Sequence, residues 1–195
     1  MAAGSKGRNP SFGLDLALVH YPVSNKNREI IGSAVTNLDL HDIARAGRTF
    51  GVENFYIVTP FSDQQQLVSE LLAHWLHGPG GAANGLRKEA LEIIRVLDDL
   101  EAVVDRVAAK RGRRPTVLAT CARPQAKCRS FAETREALYG GENFLILFGT
   151  AWGLAPKVLA MADGLLPPIR GEGEYNHLSV RSAAAIVLDR LLGER

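Results

Sequence analysis

The chain has 195 residues, 46% hydrophobic and 23% charged, with a net charge of +2 and only two cysteines. That length suits a single domain with a substantial core, and the composition excludes wholesale disorder, collagen-like repeats and a disulfide scaffold. The run Phe144 to Phe148 falls far short of the ~20 apolar residues a bilayer-spanning helix needs, and no signal-length apolar segment follows Lys6 and Arg8, so a cytoplasmic protein is expected.

Met1 to Gly13 reads as a flexible N-terminal arm, with one domain over 14–195. Leu16 to Val23, apolar and holding Pro22 near its end, predicts a first buried strand. From about Asp39 an amphipathic helix follows, with Leu40, Ile43, Ala44 and Gly47 inward and Gly51 ending it. Asn54 to Thr59 predicts a second strand, and Asp63 opens a helix carrying Leu67, Val68, Leu71, Leu72 and Trp75 at helical spacing until Gly78-Pro79-Gly80-Gly81 breaks it. The apolar residues Ile93, Ile94, Leu97, Leu100, Val104 and Val107 predict one long helix from about Leu86 to Lys110. Strands are predicted at Thr116 to Thr120, Asn143 to Phe148 and Gly164 to Leu166, with helices near Phe131 to Leu138 and at Leu178 to Leu192. Helices alternating with fully apolar strands imply an α/β fold, a parallel sheet of five to six strands covered on both faces.

Cys121 and Cys128 lack a second pair or a histidine cluster, and His74 and His77 lack a carboxylate or thiol partner, so no metal site is expected. The small net charge hides an asymmetry. Arg106, Lys110, Arg111, Arg113, Arg114, Arg123, Lys127 and Arg129 fall in a stretch of 24 residues without an acid, so the rest of the chain sums to −6. Charge gathered in this way is the footprint of a polyanion-binding surface, although cations at a helix C-terminus also oppose the helix dipole.

Ligands of open α/β sheets bind beyond the carboxyl ends of the strands, which singles out three loops: Thr120 to Gln125, Gly149 to Ala155 and Pro167 to Asn176. Gly149-Thr150-Ala151-Trp152-Gly153-Leu154 lacks the lysine and hydroxyl of a phosphate-binding P-loop, and Gly171-x-Gly173 lacks the third glycine of a dinucleotide fingerprint. Gly149, Gly153 and Gly171 are expected where a side chain would intrude on a closely approaching ligand. On the first helix, His41, Arg45 and Arg48 fall within about 60° of one another at 100° per residue and form one polar stripe.

The segment Asn37-Leu38-Asp39-Leu40-His41-Asp42-Ile43-Ala44-Arg45, the Gly149 to Leu154 turn and the stretch Asn176 to Leu188 with its three consecutive alanines together resemble the three ordered motifs of the SPOUT class of RNA methyltransferases. The similarity is greatest to stand-alone bacterial members and covers Leu16 to Leu192. It implies a C-terminal deep trefoil knot and a homodimer with sites near the subunit interface. It also implies S-adenosylmethionine bound by three loops: Thr120, Cys121 and Ala122; Gly149, Thr150, Gly153 and Leu154; and Ile169, Gly171, Gly173, Asn176, Leu178 and Ser179. The expected substrate is RNA, with transfer RNA favoured.

In the SpoU-like branch, an arginine at the position of Arg45 assists ribose 2′-O-methylation, which makes Arg45, with His41, the expected catalytic pair. A guanidinium stays protonated, so Arg45 is better suited to clamp a phosphate and stabilise a developing oxyanion than to act as a base. Arg48, Arg111, Arg113, Arg114, Arg123, Lys127 and Arg129 are the expected RNA contacts. The sequence departs from that branch: Ala151 stands where a glutamate is usual, Ser179 where asparagine is usual and Arg181 where serine is common. Two alternatives stay open: methylation of a base nitrogen, as in the TrmD-like branch, with Glu172, Glu174 or Asp39 as the base, and a catalytically silent RNA-binding dimer.

Overall fold

The computed structural model describes residues 12–123 and 128–194. Residues 1–11, most of the expected N-terminal arm, and Lys127 lie outside the described residues. In chain order the elements are β1 (Leu14–Val19), β2 (Val23–Ser24), β3 (Ile30–Ile31), α1 (Asn37–Thr49), β4 (Phe55–Val58), α2 (Ser62–Leu76), α3 (Pro79–Ala83) and α4 (Gly85–Leu91). Then come β5 (Ile94–Leu97), α5 (Leu100–Arg111), β6 (Thr116–Ala119), α6 (Phe131–Tyr139), β7 (Phe144–Gly149), α7 (Pro156–Met161), β8 (Gly164–Leu165) and α8 (Val180–Leu192).

Six strands form one sheet in the order β5-β4-β1-β7-β6-β8, with every pairing parallel. The inner strands are buried because alternate residues serve two cores, as strand geometry requires. Leu14, Leu16 and Leu18 of β1 and Phe144, Ile146 and Phe148 of β7 pack with Ile43 of α1, Val68 of α2, Leu138 of α6 and Leu188 of α8. The intervening Ala17, Val19, Leu145 and Leu147 face Val103 and Val107 of α5 and Val158 of α7. The inward face expected for α1 is the buried one, with Leu40, Ile43, Ala44 and Gly47 all inside. On α2, only Val68 of the expected stripe is fully buried, and Leu67 is exposed.

The single helix expected over Leu86 to Lys110 is instead α4, β5 and α5. Ile94 and Leu97 pair in register with Phe55 and Val58, so residues that matched a helical stripe extend the sheet past β4. Asp99 then accepts a hydrogen bond from the Ala102 N–H at 2.7 Å and starts α5 as its N-cap. The first strand begins two residues earlier than expected, with Asp15 fully buried, and ends before the cis Tyr21-Pro22 bond. The glycine-rich break after α2 contains the short α3.

Candidate functional site

The carboxyl edge of the sheet presents His20 after β1, Thr59 after β4, Thr120 after β6 and Thr150 after β7. The loops that leave there are tied to one another. Asn176 donates its side-chain N–H to the Ala122 carbonyl at 2.8 Å, which joins the third expected loop to the first. The Gly149 to Leu154 turn is held from the other side by the chain after β1. Ser24 N–H donates to the Gly153 carbonyl at 2.9 Å, Trp152 N–H to the Ser24 carbonyl at 3.1 Å, and Val23 bridges to Leu154.

Several side chains of the expected ligand-binding loops are already committed. The Thr120 hydroxyl donates to the Leu147 carbonyl at 2.9 Å and that of Thr150 to the Val19 carbonyl at 3.0 Å. Ser179 caps α8 by accepting from Ser182 N–H at 3.3 Å. At Gly149 a Cβ would lie 2.6 Å from Leu154 N, so its own turn already requires the glycine. Gly153, at φ +107°, faces open space, as do Gly171 and Gly173. Ile169 rests against the core while Leu178 is exposed, giving the third loop an apolar side. Cys121 is half-buried beside them.

The α1 stripe divides into three environments. Arg45 is exposed, and its guanidinium has no hydrogen-bond or ion-pair partner among the described residues. Arg48 is held by Glu89 of α4 in a hydrogen-bonded ion pair. His41 is half-buried edge-on against Trp75, at 5.2 Å between ring centroids, and Arg87 lies over the same indole at 5.0 Å. Burial, reinforced by the Arg87 charge, holds the His41 imidazole below its ordinary range, so it is neutral and unsuited to act as a cation. Asp39, one of the carboxylates considered as a base, accepts from the Thr36 hydroxyl at 2.7 Å and pairs with Arg181 of α8 at 3.1 Å.

The basic segment is not one cationic surface. Lys110 and Arg111 pair with Glu53 just before β4, and Arg111 lies 3.7 Å from the buried carboxylate of Asp15. Arg113 donates to the Gly141 carbonyl just before β7, and Arg114 pairs with Asp163 just before β8 at 2.7 Å. Arg129 forms a two-pronged pair with Glu142 and lies over the Phe144 ring at 4.9 Å. These partners stand at or just before the starts of strands, so Lys110, Arg111, Arg114 and Arg129 are paired at the amino edge, opposite the loops. The Arg111 side chain is only 14% exposed and serves the fold more than any outside partner. Among the described residues of this segment, Arg123, exposed in the loop after β6, is the expected RNA-contacting cation on the carboxyl side.

Sequence reasoning missed His20 and Ser33: beneath the turn His20 bonds to Ser33, and Ser33 to Thr150. A histidine closing a fully apolar strand was the available signal for the first. Ser33 carried none, because it lies 117 positions from its partner. Among the described residues, no three histidine, cysteine or acidic side chains converge as a metal site would require, and no helix is long and apolar enough to cross a membrane.

An open parallel sheet with glycine-rich loops joined over its carboxyl edge is the architecture of a small-molecule-binding α/β protein. Residues 13–193 match the family model described as SAM-dependent RNA methyltransferase, and the chain belongs to that family. It is 48% identical over 185 residues to a tRNA (guanine-N(1)-)-methyltransferase of Oleidesulfovibrio alaskensis, covering 95% of this chain and 43% of that one. It is also 38% identical over 177 residues to an Aquifex aeolicus protein, covering 90% and 86% of the two chains. Against the Oleidesulfovibrio protein, and against a like-named Nitratidesulfovibrio vulgaris protein, the chain spans less than half the relative's length. Among solved structures, the SpoU methyltransferase AviRb of Streptomyces viridochromogenes in complex with AdoMet shares the fold at TM-score 0.58 and 16% identity, covering 98% of this chain and 62% of that one. The TrmH/SpoU tRNA modifying enzyme of Aquifex aeolicus does so at TM-score 0.58 and 15% identity, covering 95% and 76%.

Proposed function

We propose that this chain transfers the methyl group of S-adenosylmethionine to RNA, with transfer RNA as the substrate, and that the acceptor is a ribose 2′-hydroxyl. The observation that carries the reading is the joining of the loops at the carboxyl edge, where Asn176 bonds to Ala122 and Gly153 of the Gly149 to Leu154 turn faces open space. Backbone groups of Thr120 to Ala122, Gly149 to Leu154 and Ile169 to Leu178 would hold the methyl donor, which supplies an electrophilic sulfonium methyl. The exposed Leu178 and half-buried Ile169 offer its adenine an apolar surface.

The protein must then align the hydroxyl in line with the methyl and favour loss of its proton. Arg45 suits this task because its guanidinium is unpaired among the described residues, whereas Arg48 is taken by Glu89 and His41 is packed on Trp75. Arg45 clamps the phosphate and stabilises the developing oxyanion. Arg123 and Arg170, both exposed, supply further phosphate contacts. Two copies complete the RNA site. Ala184 packs inside the protomer, whereas Ala183 and Ala185 remain half-buried on α8.

We further propose that the segment after β8 is threaded as a trefoil knot. In support, Leu165 pairs with Ala119 and bridges to Cys128, so residues on either side of the loop after β6 both meet the last strand. The names of the curated relatives favour a second reading, methylation of guanine N1, with Glu172 or Glu174 of the third loop as the base; Asp39 is engaged by Thr36 and Arg181. Those names belong to proteins more than twice as long as the segment matched here.

Incubating the protein with labelled S-adenosylmethionine and transfer RNA, then digesting to nucleosides, decides the acceptor. A 2′-O-methyl nucleoside is expected, and 1-methylguanosine would replace the ribose reading by the base reading. Replacing Arg45 with alanine should lower turnover by ~10²-fold, the scale for losing one transition-state stabiliser, without changing donor affinity. Parent-rate methylation by that variant would refute the role given to Arg45.

A further inference from the structure

Beneath the Gly149 to Leu154 turn lies a hydrogen-bonded chain that links three distant parts of the sequence. His20 Nδ1 is 3.1 Å from Ser33 Oγ, Ser33 Oγ is 2.5 Å from Thr150 Oγ1, and Thr150 Oγ1 is 3.0 Å from the Val19 carbonyl. Ser33 N–H also donates to the His20 carbonyl at 2.9 Å, which anchors the loop before α1 to the end of β1.

One assignment of protons satisfies all three bonds of this chain; the other acceptor within reach of the Ser33 hydroxyl, the His20 carbonyl, is farther away at 3.4 Å. A carbonyl only accepts, so the Thr150 hydroxyl donates to Val19. Thr150 then has no proton for Ser33, and the Ser33 hydroxyl must donate to Thr150. With its one proton spent, Ser33 accepts from His20, which places the imidazole proton on Nδ1. Nε2 is then left with a lone pair, in agreement with its burial without a partner. His20 is fully buried, and desolvation holds its pKa down at about 4, against the opposing pull of the Asp39 carboxylate. The ring is therefore neutral near pH 7, as the single-proton scheme needs.

The turn above needs such a restraint. Ala151, a residue with a side chain, sits at φ +50°, and Gly153 follows at φ +107°. Conformations of this kind persist only when their surroundings over-determine them. Backbone pairing with Pro22, Val23 and Ser24 holds the far half of the turn. The near half, at Thr150, is held by Ser33 and Val19.

We infer that Ser33 is a positioning residue for the methyl donor: it takes the proton of His20 Nδ1 in a hydrogen bond, gives its own to Thr150, and so fixes the donor-binding turn without touching the donor. The inference rests on the reading that this turn binds S-adenosylmethionine. It adds a residue outside the three loops on which donor affinity depends.

Titration calorimetry with S-adenosylhomocysteine tests it on the parent and on Ser33→Ala, Thr150→Val, Thr150→Ser and the double variant Ser33→Ala/Thr150→Val. Removing either hydroxyl should weaken binding by about tenfold, the scale of one hydrogen bond. Thr150→Ser should restore the parent value. Because both hydroxyls act in one chain, the double variant should bind no worse than the weaker single variant. In the methylation assay, KM for the donor should rise while kcat and RNA affinity stay near the parent's. Parent-like binding by Ser33→Ala, or additive losses in the double variant, would overturn the inference while leaving the site reading in place. Absence of binding by the parent would instead overturn the site reading, and this inference with it.

Discussion

Acidification should destabilise this protein through its histidines, His20 above all and His41 in the same direction, before its lowered carboxylates respond. The His20 imidazole is fully buried, and loss of solvation lowers its pKa from 6.5 to about 4; the nearby Asp39 carboxylate opposes the shift and does not cancel it. Between those two values the unfolded chain binds a proton at His20 that the folded chain refuses, so stability falls as the pH falls. The native advantage is complete above pH 6.5 and is lost progressively down to about 4. A displacement of about 2.5 units corresponds to roughly 3 kcal/mol, with a slope of at most ~1.4 kcal/mol per pH unit.

Other shifted carboxylates act elsewhere or with the opposite sign. Asp15 is raised by burial, so acid protonates it more readily in the folded state and favours folding. Glu142 is lowered by its hydrogen bonds from Arg129, and its stabilising contribution is lost only as the pH falls below its ordinary 4.5. Urea unfolding followed by circular dichroism at half-unit steps from pH 7.5 to 4.5, for the parent and for His20→Asn, isolates the histidine. The asparagine keeps a donor toward Ser33 and cannot titrate. The two stability curves should diverge below pH 6.5, with the parent falling faster by up to one proton's slope. Parallel curves would refute the assignment of a buried neutral histidine.

Gly149→Ala should abolish binding of S-adenosylhomocysteine measured by calorimetry, because the new Cβ would sit 2.6 Å from Leu154 N and 3.0 Å from Gly153 C, both backbone atoms that cannot rotate aside. Arg111→Ala should lower the unfolding free energy by about 3 kcal/mol, since it strips the buried Asp15 carboxylate of its counter-charge, while RNA affinity per folded molecule in a filter-binding assay stays unchanged. Ser130→Ala removes the hydroxyl that accepts from Glu133 N–H at 3.1 Å and spares the reciprocal bond from Ser130 N–H to the Glu133 carboxylate, which should cost about 1 kcal/mol in denaturant unfolding.

Sequence alone was enough for the parallel α/β class, the inward face of α1 and the three loops at the carboxyl edge. Each follows from a local rule: strands buried on both faces need unbroken apolar runs, helices need apolar residues every three to four positions, and ligands meet such sheets where strands end. The same periodicity failed over Leu86 to Lys110, because Ile93, Ile94, Leu97 and Leu100 satisfy a helix and a strand followed by a capped helix equally well. The unpaired edge of β4 decided between them. The charge count located the basic segment but not its partners. Glu53, Asp163 and Glu142 are distant in the chain, and they meet those cations only because the sheet brings the starts of its strands together. The contact of Ser33 with Thr150, across 117 positions, arises in the same way where strands end. Patterns of period two or three to four describe which way a residue faces within its own element; which residue it meets is set by the order and register of strands, and those are properties of the assembled sheet.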